Sequence, residues 1–282
     1  MNYETLIDVD ALRTMLARPD VRVIDCRFDL GQPDAGRSLY TRGHIPGAID
    51  AHLEQDLSAP RTPWSGRHPL PEPSVLAETF GRFGIDATVQ VVAYDDSNGA
   101  YAARLWWMLR WLGHRKVAVL DSGLAAWCDA ELPLTQPPAS VGARHFEPRA
   151  DDSMHIGADE LALLLRRDGC VLVDARAAER FEGKIEPLDP RAGHVPGARN
   201  RHFARNLGAD GHFLPPAVLA SELRQLLGER RPTDVVAMCG SGVTACHNLL
   251  ALEVAGLPGG RLYPGSFSEW SRDPGRPIAT GS

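Results

Sequence analysis

No stretch of the 282-residue sequence approaches the roughly 18 consecutive apolar residues that a membrane-spanning helix requires. The opening MNYETLIDVD lacks a basic-then-apolar signal pattern, so an intracellular, cytoplasmic protein is expected. Cysteine is sparse. Cys26, Cys128, Cys170, Cys239 and Cys246 are odd in number and contain no Cys-x-x-Cys pair, which argues against a disulfide framework and a zinc site. Excess positive charge is lacking as well: 30 Lys and Arg face 36 Asp and Glu, for a net charge of -6. Nucleic acid and anionic membranes call for a concentrated basic surface and are not expected partners, although a local basic patch can still hold a small anion. What remains is a composition of 44% hydrophobic and 23% charged residues, that of a soluble globular protein. The length fits two domains of roughly 140 residues each.

The chain repeats itself once. Val23-Ile24-Asp25-Cys26-Arg27 is echoed by Leu172-Val173-Asp174-Ala175-Arg176, and Gly43-His44-Ile45-Pro46-Gly47-Ala48 by Gly193-His194-Val195-Pro196-Gly197-Ala198. Val91–Asp95 matches Val235–Cys239, and Asp121–Trp127 matches Pro264–Trp270. Four matches in the same order indicate duplication. Short apolar runs at Val21–Ile24, Val89–Ala93, Val117–Leu120, Val171–Val173 and Val235–Ala237 alternate with amphipathic stretches, the pattern of a parallel sheet flanked by helices. Leu105, Leu109 and Leu112 predict a helix ending at Gly113, and Ala245, Leu249 and Leu252 one ending before Gly256. Trp106, Trp107 and Trp111 share helical spacing and read as core or domain-interface packing in preference to a ligand cage. The expected division is a first α/β domain over 1–138, a linker over 139–152, in the segment Pro133–Asp152 that holds Pro133, Pro137, Pro138 and Pro148 and lacks apolar periodicity, and a second α/β domain over 153–282, with a cleft between the halves.

Ligands of open parallel sheets gather where strands end and helices begin. Cys239 stands at such a place, after Val235–Met238 and before Gly240-Ser241-Gly242-Val243-Thr244. Loop amides and a helix start favour a thiolate there, and glycines let the backbone curl around the sulfur. Cys26, Cys128 and Cys170 read as buried structural thiols. In the first repeat Asp95 occupies the position of Cys239; with Asp96 it reads as a relic in preference to an acid–base or metal pair.

The duplicated Gly-His-[Ile/Val]-Pro-Gly-Ala, the two Asp-x-Arg motifs, Tyr263–Trp270 and the loop Cys239–Ala245 together resemble tandem-domain rhodanese-type sulfurtransferases over nearly the whole chain. The resemblance implies two rhodanese-like α/β domains, the first inactive and the second carrying the nucleophile Cys239, which takes sulfur as a persulfide. No metal or organic cofactor is implied. A neutral Cys-Gly-Ser-Gly-Val-Thr loop is similar to the mercaptopyruvate-using branch, since thiosulfate-specific members place basic side chains where Gly240 and Ser241 stand. The implied partners are a small-molecule sulfur donor and a thiol acceptor such as a small thiol or a thioredoxin-like protein. Thiosulfate as the donor and a non-catalytic sulfur-relay or docking role are the alternatives. A cysteine phosphatase would need an arginine six residues after its cysteine, where Ala245 stands.

The same resemblance implies a relay of Ser241, His44 and an orienting acid, for which Asp34 is the candidate. Arg180 matches an arginine that binds the substrate carboxylate, and Arg191, in a segment of altered length after Glu186-Pro187, is the candidate for its second arm. Gly240, Gly242, Val243 and Thr244 would line the substrate. His44 has a structural rival reading, because His194 repeats it. Arg27 and Arg176 read as structural ion pairs, while Trp64 and His68, in the proline-rich stretch Pro60–Pro73, either line the cleft or pack at the surface.

Overall fold

The computed structural model describes residues 2–282. Strands form where the apolar runs lie. In one sheet β1 (Leu6–Ile7), β2 (Val21–Asp25), β3 (Ile49–Asp50), β4 (Gln90–Tyr94) and β5 (Val117–Leu120) are all parallel, in the order β1-β5-β4-β2-β3. In the other, β6 (Val171–Asp174), β7 (Arg199–Asn200), β8 (Val235–Met238) and β9 (Arg261–Leu262) are parallel in the order β7-β6-β8-β9. β4 and β8 are buried at every residue. Covered on both faces by helices, such strands carry continuous apolar runs in place of alternation.

Helices Ala102–Trp111 and Thr244–Val254 follow β4 and β8 and are buried along most of their length. The chain leaves them through Gly113 (φ 84°) and Gly256 (φ 69°), as predicted. Trp106, Trp107 and Trp111 are all buried, and Trp107 stacks on Trp111. No helix among the described residues is long and apolar enough to cross a membrane.

The repeat is visible atom by atom. Asp25 and Arg27 form a buried two-pronged pair whose guanidinium also donates to Gly43 O, and Asp174 and Arg176 do the same with Gly193 O. The indole nitrogens of Trp127 and Trp270 donate to Pro133 O and Pro277 O. Arg27 and Arg176 are therefore structural, as read from the sequence.

The chain divides into two compact units. The first comprises the residues up to Ala59, Pro71–Asp151 and Asp210–His212; the second comprises Pro60–Leu70, Asp152–Ala209 and Phe213–Ser282. This differs from a simple cut at 138 and 153 in two ways. The expected linker is not free: Arg144 N donates to Gly81 O, Arg149 N to Leu112 O and Asp151 N to Trp111 O, and Phe146 packs edge-on against Phe80. Carbonyls at helix C-termini lack partners within their own helices, and these amides supply them. The second difference, the placement of Pro60–Leu70, bears on the site.

Candidate active site

Cys239 is the first residue after β8 and is 2% exposed. Its N–H donates to Ser266 Oγ (3.1 Å), its carbonyl accepts from Phe267 N (3.0 Å), and Gly240 O accepts from Ser268 N (2.8 Å). The loop is thus fixed from below by the start of helix Ser266–Trp270. Gly242 has φ 76°, and a Cβ there would lie 2.4 Å from Pro264 O, so both conformation and space require glycine. Val243 stands at the N-cap position of helix Thr244–Val254, without a side-chain capping bond.

The equivalent loop of the first unit shows what this backbone can hold. The Asp95 carboxylate, fully buried, accepts from the N–H groups of Ser97, Gly99, Tyr101 and Ala102, each at 2.8 Å. Burial pushes the Asp95 carboxyl up, and the four amides pull it back. Asn98 (φ 54°) takes the left-handed turn that Gly242 takes in the second unit. This strand–loop–helix turn is therefore an anion cradle, filled by a carboxylate in one repeat and headed by a thiol in the other.

The structure gives Ser241 a different histidine from the one the resemblance implied. His68 Nδ1 lies 2.8 Å from Ser241 Oγ, with both side chains buried. His44 instead places Nδ1 2.8 Å from Tyr40 O and stacks on the Tyr40 ring, and His194 repeats this with Phe181 O and the Phe181 ring. A histidine doing the same local work in both repeats is a turn residue. Asp34 is exposed at the N-terminus of helix Ala35–Arg42, without even a capping bond, and does not orient His44. We therefore expect His68→Ala to lower kcat/KM by about 100- to 10,000-fold, the usual span for a lost proton-transfer group. His44→Ala should lower the melting temperature and leave kcat/KM within threefold; the reverse ranking in steady-state assays would restore His44.

His68 arrives on the segment Pro60–Leu70, which is seated on the supports of the Cys239 loop. Arg67 N donates to Ser268 Oγ (3.0 Å), and a Cβ on Gly66 would lie 2.5 Å from Gly265 O. Arg67 Nη2 is 2.7 Å from where a Cβ on Gly240 would stand, and Arg180 Nη1 is 3.4 Å from it. The loop is neutral in its own side chains, as expected, but two guanidiniums stand over it. Cations are therefore present beside this loop although its own side chains supply none, and loop neutrality alone does not choose the donor.

These cations end a line of alternating charges: Asp174, Arg176, Glu186, Arg180, Asp189, Arg67. Arg176 reaches Glu186 (3.3 Å), and Arg180 reaches both Glu186 (2.7 Å) and Asp189 (3.2 Å). The other oxygen of Asp189 pairs with Arg67. Burial pushes the Arg67 guanidinium down; Asp189 and Cys239 oppose that shift, and the like charge of Arg180 adds to it. Burial also pushes the Asp189 carboxyl up, aided by Glu186 and opposed by Arg67 and Arg180. Arg191 is not part of this group. Its guanidinium donates to the carbonyls of Trp270, Ser271, Asp273 and Arg276, capping the end of helix Ser266–Trp270, so its role as a second substrate arm is corrected to a structural one.

Arg67, His68 and Asp189 were not selected as site residues from the sequence. The available signal was a basic pair, Gly66-Arg67-His68-Pro69, inside a stretch without apolar periodicity. Of the remaining thiols, Cys26 and Cys170 are buried and burial pushes both up, well above the ordinary value for Cys26. Cys128 is exposed on a helix surface, contrary to its reading as buried.

The rhodanese-like domain matches twice, over residues 8–130 and 157–273. A relative from Pseudomonas aeruginosa described as a probable 3-mercaptopyruvate sulfurtransferase is 50% identical over the full length of both chains. A Mycobacterium tuberculosis relative described as a putative thiosulfate sulfurtransferase is 39% identical over 99% of this chain and 98% of its own. The crystal structure of an Escherichia coli protein, reported for the rhodanese fold of 3-mercaptopyruvate sulfotransferases, superposes with a TM-score of 0.80 at 31% identity, covering 95% of this chain and all of its own. With both repeats matched and relatives aligned end to end, the chain is a member of the rhodanese-like family of sulfurtransferases.

Proposed function

We propose that this chain transfers the sulfur of 3-mercaptopyruvate to a thiol or cyanide, through a persulfide on Cys239, and releases pyruvate. The observation that carries the reading is the setting of Cys239: at the head of an anion cradle, on the loop that carries the Ser241–His68 pair, with Arg67 and Arg180 over Gly240. The Cys239 thiolate attacks the donor's sulfur, the carbon–sulfur bond breaks toward carbon, and the sulfur's proton ends on the released methyl carbon of pyruvate. Ser241 Oγ and His68 form the path for that proton. An acceptor thiolate, from a small thiol or a thioredoxin-like protein, then attacks the outer sulfur and regenerates the Cys239 thiolate. Five free cysteines fit a reducing compartment, and the cytoplasm is the proposed location.

Thiosulfate is the competing donor, favoured by the two guanidiniums and by the description of the Mycobacterium tuberculosis relative. The 50% identity to the Pseudomonas aeruginosa relative supports mercaptopyruvate. Turnover measured side by side should favour mercaptopyruvate in kcat/KM by more than about tenfold, equivalent to about 1.4 kcal/mol. A preference for thiosulfate would overturn the choice of donor.

A further inference from the structure

Arg67 and Arg180 come from segments more than a hundred residues apart, yet both guanidiniums stand over Gly240, one residue from Cys239. Each has a buried Nε without a hydrogen-bond partner. A guanidinium nitrogen buried without an acceptor is costly, and an anion entering beside it would remove that cost. Between the two arms stands a carboxylate of the protein itself. Asp189 gives one oxygen to Arg67 and the other to Arg180, and its side chain is only 2% exposed. The line of three carboxylates and three guanidiniums is electrically balanced without a ligand. A donor anion therefore has to compete with Asp189 for the two arms.

We propose that Arg67 is the second arm that binds the donor's carboxylate, beside the Arg180 that the family resemblance implies, and that Asp189 is a built-in competitor which the carboxylate displaces, making Asp189 a determinant of donor affinity. This rests on the assignment of the Cys239 loop as the reaction centre for an anionic donor. Arg67 takes the place that the sequence reading gave to Arg191, whose donors are occupied by carbonyls. The two arms are unequal: Arg180 is also held by Glu186, whereas Asp189 is the only carboxylate paired with Arg67 among the described residues. Arg67 is accordingly the arm freed when Asp189 gives way.

The test uses the full chain as wild type, Arg67→Gln, Arg67→Lys and Asp189→Asn. Two readouts are taken: KM and kcat for mercaptopyruvate, and calorimetric binding of pyruvate, a carboxylate without transferable sulfur. Arg67→Gln should weaken pyruvate binding about tenfold or more and raise KM by a larger factor than it lowers kcat, with Arg67→Lys intermediate. Asp189→Asn should bind pyruvate severalfold more tightly and lower KM. Pyruvate binding unchanged in Arg67→Gln, or weakened as much in Asp189→Asn as in Arg67→Gln, would overturn the proposal, the latter because Asp189 would then position the arms without competing. A merely structural Arg67 would lower thermal stability and the active fraction without moving KM. If wild type fails to turn over mercaptopyruvate while pyruvate binding still depends on Arg67, the donor assignment falls and the anion arms stand.

Discussion

Cys239→Ser is expected to abolish sulfur transfer, lowering kcat/KM by at least about a thousandfold, because a hydroxyl is a far weaker nucleophile than a thiolate and forms no persulfide. The substitution is nearly isosteric, and the backbone bonds that hold the loop, from Cys239 N to Ser266 and from Phe267 to Cys239 O, do not involve the sulfur. The melting temperature should therefore stay within a few degrees. Cys246→Ala is the control: this thiol donates to Gly242 O from within helix Thr244–Val254, and its loss should leave transfer within a few-fold of wild type. Transfer retained by Cys239→Ser would move the nucleophile elsewhere.

Arg176→Met is expected to destabilise the second unit by about 3–5 kcal/mol, the range for removing one partner of a buried ion pair. Asp174 has no exposure to solvent, and Arg176 holds both its oxygens while reaching Glu186 and Gly193 O. Methionine fills much of the volume and keeps contact with Phe267, over whose ring the guanidinium lies at 3.9 Å. The loss therefore reports charge more than a cavity. The released Glu186 also holds Arg180, so the damage should extend to the affinity for the donor. Urea unfolding showing a loss below about 1 kcal/mol would contradict the view that this line of charges is a structural spine.

The fold was legible because its signals are local and repeated. Val235–Met238 is apolar at every position because β8 is covered on both faces, and the duplicated Asp-x-Arg and Gly-His-x-Pro-Gly-Ala motifs mark the same strand end and turn twice. The cysteine loop was legible for the same reason, since thiol, glycines and helix start are contiguous. The partners of that loop were not. His68 meets Ser241 across 173 residues, and Arg67 meets Asp189 across 122, from a proline-rich segment with no periodicity to place it. His44 attracted a catalytic role by its motif, but the second copy, His194, shows that the motif's work is to close a turn. Arg191 lies next after the expected position, yet carbonyls at the end of helix Ser266–Trp270 and in the turn that follows it determine where its guanidinium goes.

The central claim is that Cys239 carries the sulfur in transit. Wild-type protein incubated with mercaptopyruvate without an acceptor, then digested and analysed by mass spectrometry, tests it most directly. The account predicts one added sulfur atom on the peptide containing Cys239, removed by a thiol or cyanide. The same sulfur found on Cys128 or Cys246, or none on any peptide while pyruvate is still released, would contradict it.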